Sequence, residues 1–306
     1  MNDTNNKEVI LTPEGHQVQV DDMTVHLTEE EIVDKAQTKD EILEALETSR
    51  KQKEADEIKA TQNTVVVKLP SNGLINKNIT EVTLRRMTTK QAKALFTSND
   101  PNYLTTLLLS CIVEPVNITA NDLHSNDIIY LLFILRYISS PKTLAQRTIC
   151  GKPTCQHEYD AEIKVNELKV NYATPDEYKL NCKLPDCRDT IEFRVLSEGE
   201  LINCENIANR KIKQDKIPVD GENWVRMTSK IAYMIKTVND KEFDTFAEKL
   251  KYLEDLSYYD FEYFNKIYND IISSFGLERN VVTTCPKCGE PNEVFVYISP
   301  DFFRLV

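Results

Sequence analysis

The chain has 306 residues and a net charge of −12, long enough for one large or two modest domains with a real core. The acidity is local: residues 1–63 carry sixteen acidic and seven basic side chains, −9 of the total, and the remainder is close to neutral. No run of Lys or Arg supplies a phosphate-binding stripe, and none of GxGxxG, GxxxxGKS/T, GxSxG or HExxH occurs, so neither nucleic-acid binding nor catalysis is the leading expectation.

Residues 1–26 are polar and aperiodic, which predicts a mobile start. Two capping boxes follow, Thr28-x-x-Glu31 and Thr38-x-x-Glu41, each predicting a helix. Ile42, Leu43, Leu46 and Ile58 give these helices only a thin apolar stripe. Residues 1–63 therefore read as an acidic, partly disordered helical arm, either solvated on its own domain or binding a partner.

The β-branched run TVVVKL at 64–69 stops at the turn Pro70-Ser71-Asn72-Gly73, and ITEVTLRRM returns as a second strand, so a hairpin opens the globular body. Helices are predicted over 90–96 and 104–113. Residues 127–138, DIIYLLFILRYI, are apolar nearly all round. They are too short to span a bilayer and contain Arg136, which makes them a central core helix. A period-two pattern begins at Tyr159, Ala161, Ile163 and Val165 and continues in YKLNCKLPDCRDTIEFRVL, a second hairpin. Helices then run over 224–238, 242–253 and 257–275, the last closing at Gly276 as its C′ residue. A strand VFVYI and the tail SPDFFRLV follow, in which Phe302 and Phe303 either dock on a partner or pack back on their own domain.

Six of the eight cysteines form three close pairs: Cys150/Cys155 in CGKPTC, Cys182/Cys187 in CKLPDC and Cys285/Cys288 in TCPKCGE. The last is the sharpest signal. A Cys-Pro-Lys-Cys-Gly turn brings two thiolates and the intervening amides onto one cation, with Gly289 free to take positive φ. A closed tetrahedral zinc site needs four ligands, so one of the other two pairs must complete it. The competing readings are free buried thiols and a redox pair. The opening MNDTNNKEVILTPEG shows no secretory signal, so disulfides are not expected, and the strand-like flanks of Cys285/Cys288 are not those of a redox CxxC. Cys111 and Cys204 read as small buried hydrophobes. His157 is either a substitute ligand or a surface residue beside a knuckle, while His16, His26 and His124 have no partner at ligand spacing. These pieces give an α+β fold: a helical core with short β-hairpins and a zinc-ribbon-like four-cysteine knuckle site, plus the N-terminal helical arm. The expected parts are the arm 1–63, a hairpin plus helical subdomain 64–149, and a zinc-knuckle β-hairpin and helical subdomain 150–306.

Several of these pieces, in one order, resemble a known family. The stretch LPSNGLINKNITEVTLRRMTTKQAKALF is similar to the start of the baseplate hub subunits of T-even-type contractile-tailed phages. The resemblance continues through LLLSCIVEPVNITANDLHSNDIIYLLFILRYIS, a cysteine knuckle with its strand, the hairpin leading to FRVLSEGE, and CPKCGEPNEVFVYISPDFF, covering roughly residues 66–304. It implies that the recurring pairs are Cys150/Cys155 and Cys285/Cys288, which become the zinc ligands; Cys182/Cys187 lies outside the pattern and its role stays open. It further implies a non-enzymatic late protein of the virion or its assembly, acting in the host cytoplasm or in the tail baseplate through contacts with other hub and tail proteins. No nucleic acid and no membrane span enter that reading. The alternative is a zinc-ribbon regulator that binds nucleic acid or polymerase through its knuckles.

Overall fold

The computed structural model describes residues 64–98, 100, 102–140, 143–298 and 300–303, together with positions 10, 11, 17, 18, 44, 47, 48 and 50–53. The chain divides into two units, 1–53 and 54–306. In the first, β1 (Ile10–Leu11) pairs antiparallel with β2 (Gln17–Val18). Helical backbone appears at 44, 47, 48 and 50–53, where Thr48 Oγ1 donates to the Glu44 carbonyl at 2.8 Å. The capping boxes at Thr28 and Thr38 and the stripe residues Ile42, Leu43, Leu46 and Ile58 lie outside the described residues.

The second unit is α+β, mixing helices with short antiparallel strands. The predicted opening hairpin is present: β3 (Thr64–Lys68) pairs with β4 (Glu81–Arg85), Thr64 opposite Arg85 and Lys68 opposite Glu81. Helix α1 (Thr89–Thr97) starts on a reciprocal capping box between Thr88 and Gln91, and α2 (Tyr103–Leu109) follows. The helix expected over 104–113 stops at Leu109, because β5 (Ile112–Glu114) adds to the edge of β4. Sheet pairing there overrides the local apolar period.

Helix α3 (Ser125–Ser139) is the predicted central helix, and its all-round apolarity has a direct cause. Leu131, Leu132, Phe133 and Leu135 are all buried, in one core with Val67, Leu69 and Leu84 of the hairpin and with Phe302 and Phe303. Burying a side chain such as Phe133 is worth about 2–3 kcal/mol. Phe302 and Phe303 therefore pack back on their own domain. The Phe133 and Phe302 rings meet edge to face at 4.8 Å, and Arg136 Nε donates to the Phe302 carbonyl at 2.8 Å. Asp127, fully buried, accepts from the Ser71 amide at 2.8 Å and the His124 amide at 2.9 Å, which ties the first turn of α3 to the β3–β4 turn.

Two hairpin strands, β6 (Leu144–Ile149) and β7 (Glu158–Ile163), come next, then β8 (Val170–Asn171), β9 (Asn181–Lys183) and β10 (Thr190–Phe193). A second core forms around β9 and β10 with α4 (Glu198–Asp215), α5 (Val219–Met234), α6 (Phe246–Asp255) and α7 (Tyr258–Ser273). The helix expected over 224–238 begins earlier, after Pro218, and ends at Met234. Residues Ile235–Val238 are strand β11, pairing Ile235 with Phe193 and Val238 with Ile191, and β12 (Lys241–Glu242) completes a four-stranded sheet ordered β12-β11-β10-β9. Gly276 is not a helix cap. It opens β13 (Gly276–Leu277) at φ +119, while the Asn126 side chain closes α7 by donating to the carbonyls of Ile272 and Phe275, each at 2.8 Å. The chain finishes with β14 (Asn280–Thr284) and β15 (Pro291–Phe295). No helix among the described residues is long and apolar enough to cross a membrane.

His124 caps α3: its Nδ1 accepts the Asn126 amide at 3.0 Å, and its ring lies 4.9 Å from that of Phe275. Burial, with the Lys230 ammonium nearby, holds its pKa down at about 3. An unfolded chain protonates this histidine below its ordinary 6.5 and the native chain does not, so the fold loses stability as pH falls from 6.5 toward 3. By pH 5 the loss should reach about 2 kcal/mol relative to pH 7. His124→Asn keeps a cap acceptor without the titration, and denaturant unfolding at the two pH values should show a correspondingly smaller acid-side loss. An unchanged loss would contradict the assignment.

Candidate metal centre

The β6–β7 and β14–β15 hairpins end in turns that face each other. In the first turn the Cys150 amide donates to the His157 carbonyl at 2.9 Å, and in the second the Cys285 amide donates to the Glu290 carbonyl at 3.0 Å. Each turn closes on a left-handed residue just after its second cysteine, Gln156 at φ +43 and Gly289 at φ +72. A Cβ at Gly289 would meet nothing within 4 Å, so glycine serves its backbone angle and not a close approach.

Together the turns bring Cys150, Cys155, Cys285 and Cys288 to one point, their four sulfurs all within 4.8 Å of one another. Cys150 Sγ lies 3.7 Å from Cys288 Sγ, and Cys155 Sγ lies 3.9 Å from Cys285 Sγ. These distances are far too long for disulfides. Four thiolates about 2.3 Å from a central tetrahedral ion would be about 3.8 Å apart, so the donor set could hold a metal ion. The thiols also perturb one another. Burial resists ionisation of Cys285, but the amides of Cys288 and Lys287 and the neighbouring thiols draw it down to about 7. The Lys152 amide favours the Cys150 thiolate, yet burial and the three adjacent sulfurs outweigh it and push that thiol up to about 12. Four thiolates cannot share this space without a cation between them.

Polar contacts lock the two hairpins together around the sulfurs. Asn292, inward on β15 and buried, accepts from the Gly151 amide at 2.9 Å and donates to the Ile149 carbonyl at 3.2 Å and the Tyr159 hydroxyl at 3.0 Å. Tyr159 also shares a hydrogen bond with Thr283 at 2.9 Å. Gln146 donates to the Phe295 carbonyl at 2.8 Å and accepts from the Tyr297 amide at 3.2 Å. Lys152 and Glu290 add an exposed ion pair at 2.9 Å. His157 stays outside the sulfur cluster and stacks on Tyr159. Sequence reasoning passed over Asn292; its signal was a polar residue on the inward phase of a strand, two positions past a knuckle.

The third pair, Cys182/Cys187, has a knuckle turn without the ligand set. The Leu184 amide donates to the Asp189 carbonyl at 2.8 Å and Arg188 takes φ +64, so Leu184-Pro-Asp-Cys187-Arg-Asp189 matches Cys285-Pro-Lys-Cys288-Gly-Glu290 position by position. Leu184, fully buried, stands where the first ligand would be, and Cys182 sits two residues earlier on β9. The turn's amides also have a different acceptor. Asp186 and Cys187 donate to the two carboxylate oxygens of Asp260 at 2.9 and 3.0 Å, whereas Lys287 and Cys288 direct theirs at the Cys285 sulfur. Burial would raise the Asp260 pKa, but these hydrogen bonds prevail and hold it below the usual carboxylate range. A carboxylate here accepts the kind of amide hydrogen bonds that a cysteine sulfur accepts in the other turn.

Cys111 and Cys204 are buried among apolar side chains, in keeping with their sequence reading. Replacing Cys182 and Cys187 with Ser should leave metal content unchanged. Asn292→Leu should release bound metal to a chelator at least ten-fold faster, because it cuts three bonds between the hairpins. A metal-sensitive dye measures both, and metal loss in the Cys182/Cys187 variant alone would reverse the assignment.

With this geometry in view, comparison with known proteins gives one family. Searches of curated proteins and of solved structures find no significant match. A family model described as T4 bacteriophage base plate protein matches residues 59–304, about four-fifths of the chain, including all four clustered cysteines. The chain thus belongs to the T4 bacteriophage base plate protein family.

Proposed function

We propose that this chain is a non-enzymatic structural and assembly component of the tail baseplate hub, and that one zinc ion held by Cys150, Cys155, Cys285 and Cys288 staples its fold. A structural baseplate role follows from family membership. The hub assignment rests on the ordered motifs between Leu69 and Phe303. Zinc is supported chiefly by the paired sulfur distances of 3.7 and 3.9 Å, since a closed-shell ion with no geometry of its own suits four thiolates. Four protein ligands leave no position for water or substrate, so the ion acts on the fold. The partners are other hub and tail proteins, met in the host cytoplasm during assembly and retained in the virion. The acidic segment 1–63 is the part of the chain whose charge best suits a partner contact. Beside the metal centre an exposed Lys152–Glu290 pair stands in place of a basic stripe, which favours protein over nucleic-acid contacts.

Elemental analysis of metal-replete protein should return one zinc per chain, and none would remove the zinc assignment. Structural zinc supplies on the order of 10 kcal/mol of apparent binding energy at neutral pH, comparable with a domain's whole stability. Verified removal should therefore abolish cooperative unfolding of the core around α3, and an unchanged melting curve would contradict the staple.

Interrupting the gene should leave phage heads and DNA replication intact and tails without a complete baseplate. Normal tails, or a primary defect in late transcription, would overturn the hub reading.

A further inference from the structure

Helices α4 and α5 share a small core of Ala208, Ile212 and Val225, and a cleft opens where α7 meets them. It has a volume of about 520 Å³, and its walls carry Glu205 from α4, Asn223, Arg226 and Lys230 from α5, and Asn265 and Asn269 from α7. Positions 223, 226 and 230 share one helical face, as do 265 and 269, and these polar side chains line the cleft together with the apolar Leu201, Met227 and Ile231. Two cations and two carboxylates meet at this cleft, but both carboxylates sit on one cation. The Arg226 guanidinium is taken by Glu205 and Glu222 and also donates to Asn209 Oδ1 at 2.8 Å. Lys230 has no such partner. Its ammonium rests 4.9 Å from the centroid of the Tyr268 ring, and no carboxylate among the described residues lies within ion-pair distance of it. Asn269 Nδ2 donates to Asn265 Oδ1 at 3.3 Å and Asn265 Nδ2 to Met227 Sδ at 3.9 Å, which leaves one amide hydrogen on each asparagine for an acceptor.

A single ammonium without an ion-pair partner, beside amide donors and with two carboxylates close by, matches one carboxylate better than a phosphate, whose extra charge would need further cations. The neighbouring surface indicates where that carboxylate comes from. Trp224 adjoins Asn223 on α5, and its ring stacks on Tyr258 with centroids 6.3 Å apart and planes at 22°. Both rings are open to solvent, Trp224 by 46% and Tyr258 by 68%. Such a platform offers apolar contact to residues flanking an anchoring side chain, which a free carboxylate metabolite would not use. We propose that the cleft takes a Glu or Asp side chain on an extended segment of another tail protein, with Lys230 as counter-charge and Trp224–Tyr258 as the flanking platform. The kind of partner rests on the assembly reading above; the chemistry of the cleft does not.

The full chain has one tryptophan, Trp224, and it lies in the flanking platform of the proposal. Its emission would be followed while titrating a capped Ala-Leu-Glu-Leu-Ala peptide, the Gln counterpart of that peptide, and free glutarate. The expected result is saturable binding of the Glu peptide, at least ten-fold tighter than the Gln peptide or glutarate. Lys230→Met should erase the difference between the two peptides. Because Lys230 also packs on Tyr268, Asn269→Leu serves as a second variant that obstructs the cleft and should weaken the Glu peptide by a similar factor. Equal binding of the two peptides, or no binding of either, would overturn the proposal. Glutarate binding as tightly as the Glu peptide would overturn the protein source in favour of a small carboxylate. None of these outcomes depends on whether the chain is a hub component, which the gene interruption tests separately.

Discussion

The β6–β7 and β14–β15 hairpins, both packed on the first core, meet where two turns some 130 residues apart in sequence come sulfur to sulfur. Closing a loop of that length costs about 4 kcal/mol of chain entropy. Six hydrogen bonds made by Gln146, Tyr159 and Asn292 across the hairpins, at about 1 kcal/mol each, roughly offset it. That leaves little margin. The mutual perturbation of the four thiols works against closure, and a cation among them would reverse its sign. The hairpins also meet the first core through apolar side chains, with Leu144, Ile163 and Val296 buried in it and Val281 packed against it.

The second core is organised differently. It has its own sheet and four helices, and its knuckle turn is satisfied by the Asp260 carboxylate. One turn geometry thus appears in two settings, a cysteine cluster that could hold a cation and a carboxylate that needs none. In the first core, buried polar groups join distant segments to α3: Asp127 fixes the β3–β4 turn, and Arg136 holds Phe302. Each lies on the apolar helix yet is fully employed, which is why a charge can sit at such a position.

Much of this was legible in the residues. The CPKCGE turn with its left-handed glycine, the hairpin 64–85 and the central helix each follow from local chemistry that the fold leaves intact. What failed was decided by partners distant in sequence. Ile112–Glu114 and Ile235–Val238 continue a helical period but find strands to pair with, at β4 and β10 respectively. Gly276 carries the sign of a helix cap, yet Asn126, 150 positions earlier, supplies the cap. The choice between CGKPTC and CKLPDC could not be made on spacing, since both read C-x4-C. It lies in register: Cys150 directly follows the last paired residue of its strand, whereas Cys182 is itself paired, opposite Ile191, and Leu184 takes the turn position.

The separation of the two cysteine pairs also has a consequence in time. A ribosome adding about 5–20 residues per second delivers Cys285 roughly ten seconds after Cys155. Throughout that interval the β6–β7 hairpin is complete in sequence and carries two thiols with nothing to share them. They are open then to oxidation, or to capture by any other thiol or metal. Keeping the first pair reduced until the second emerges is therefore a condition for gathering all four thiols at one point, set at the moment of synthesis and not only afterwards.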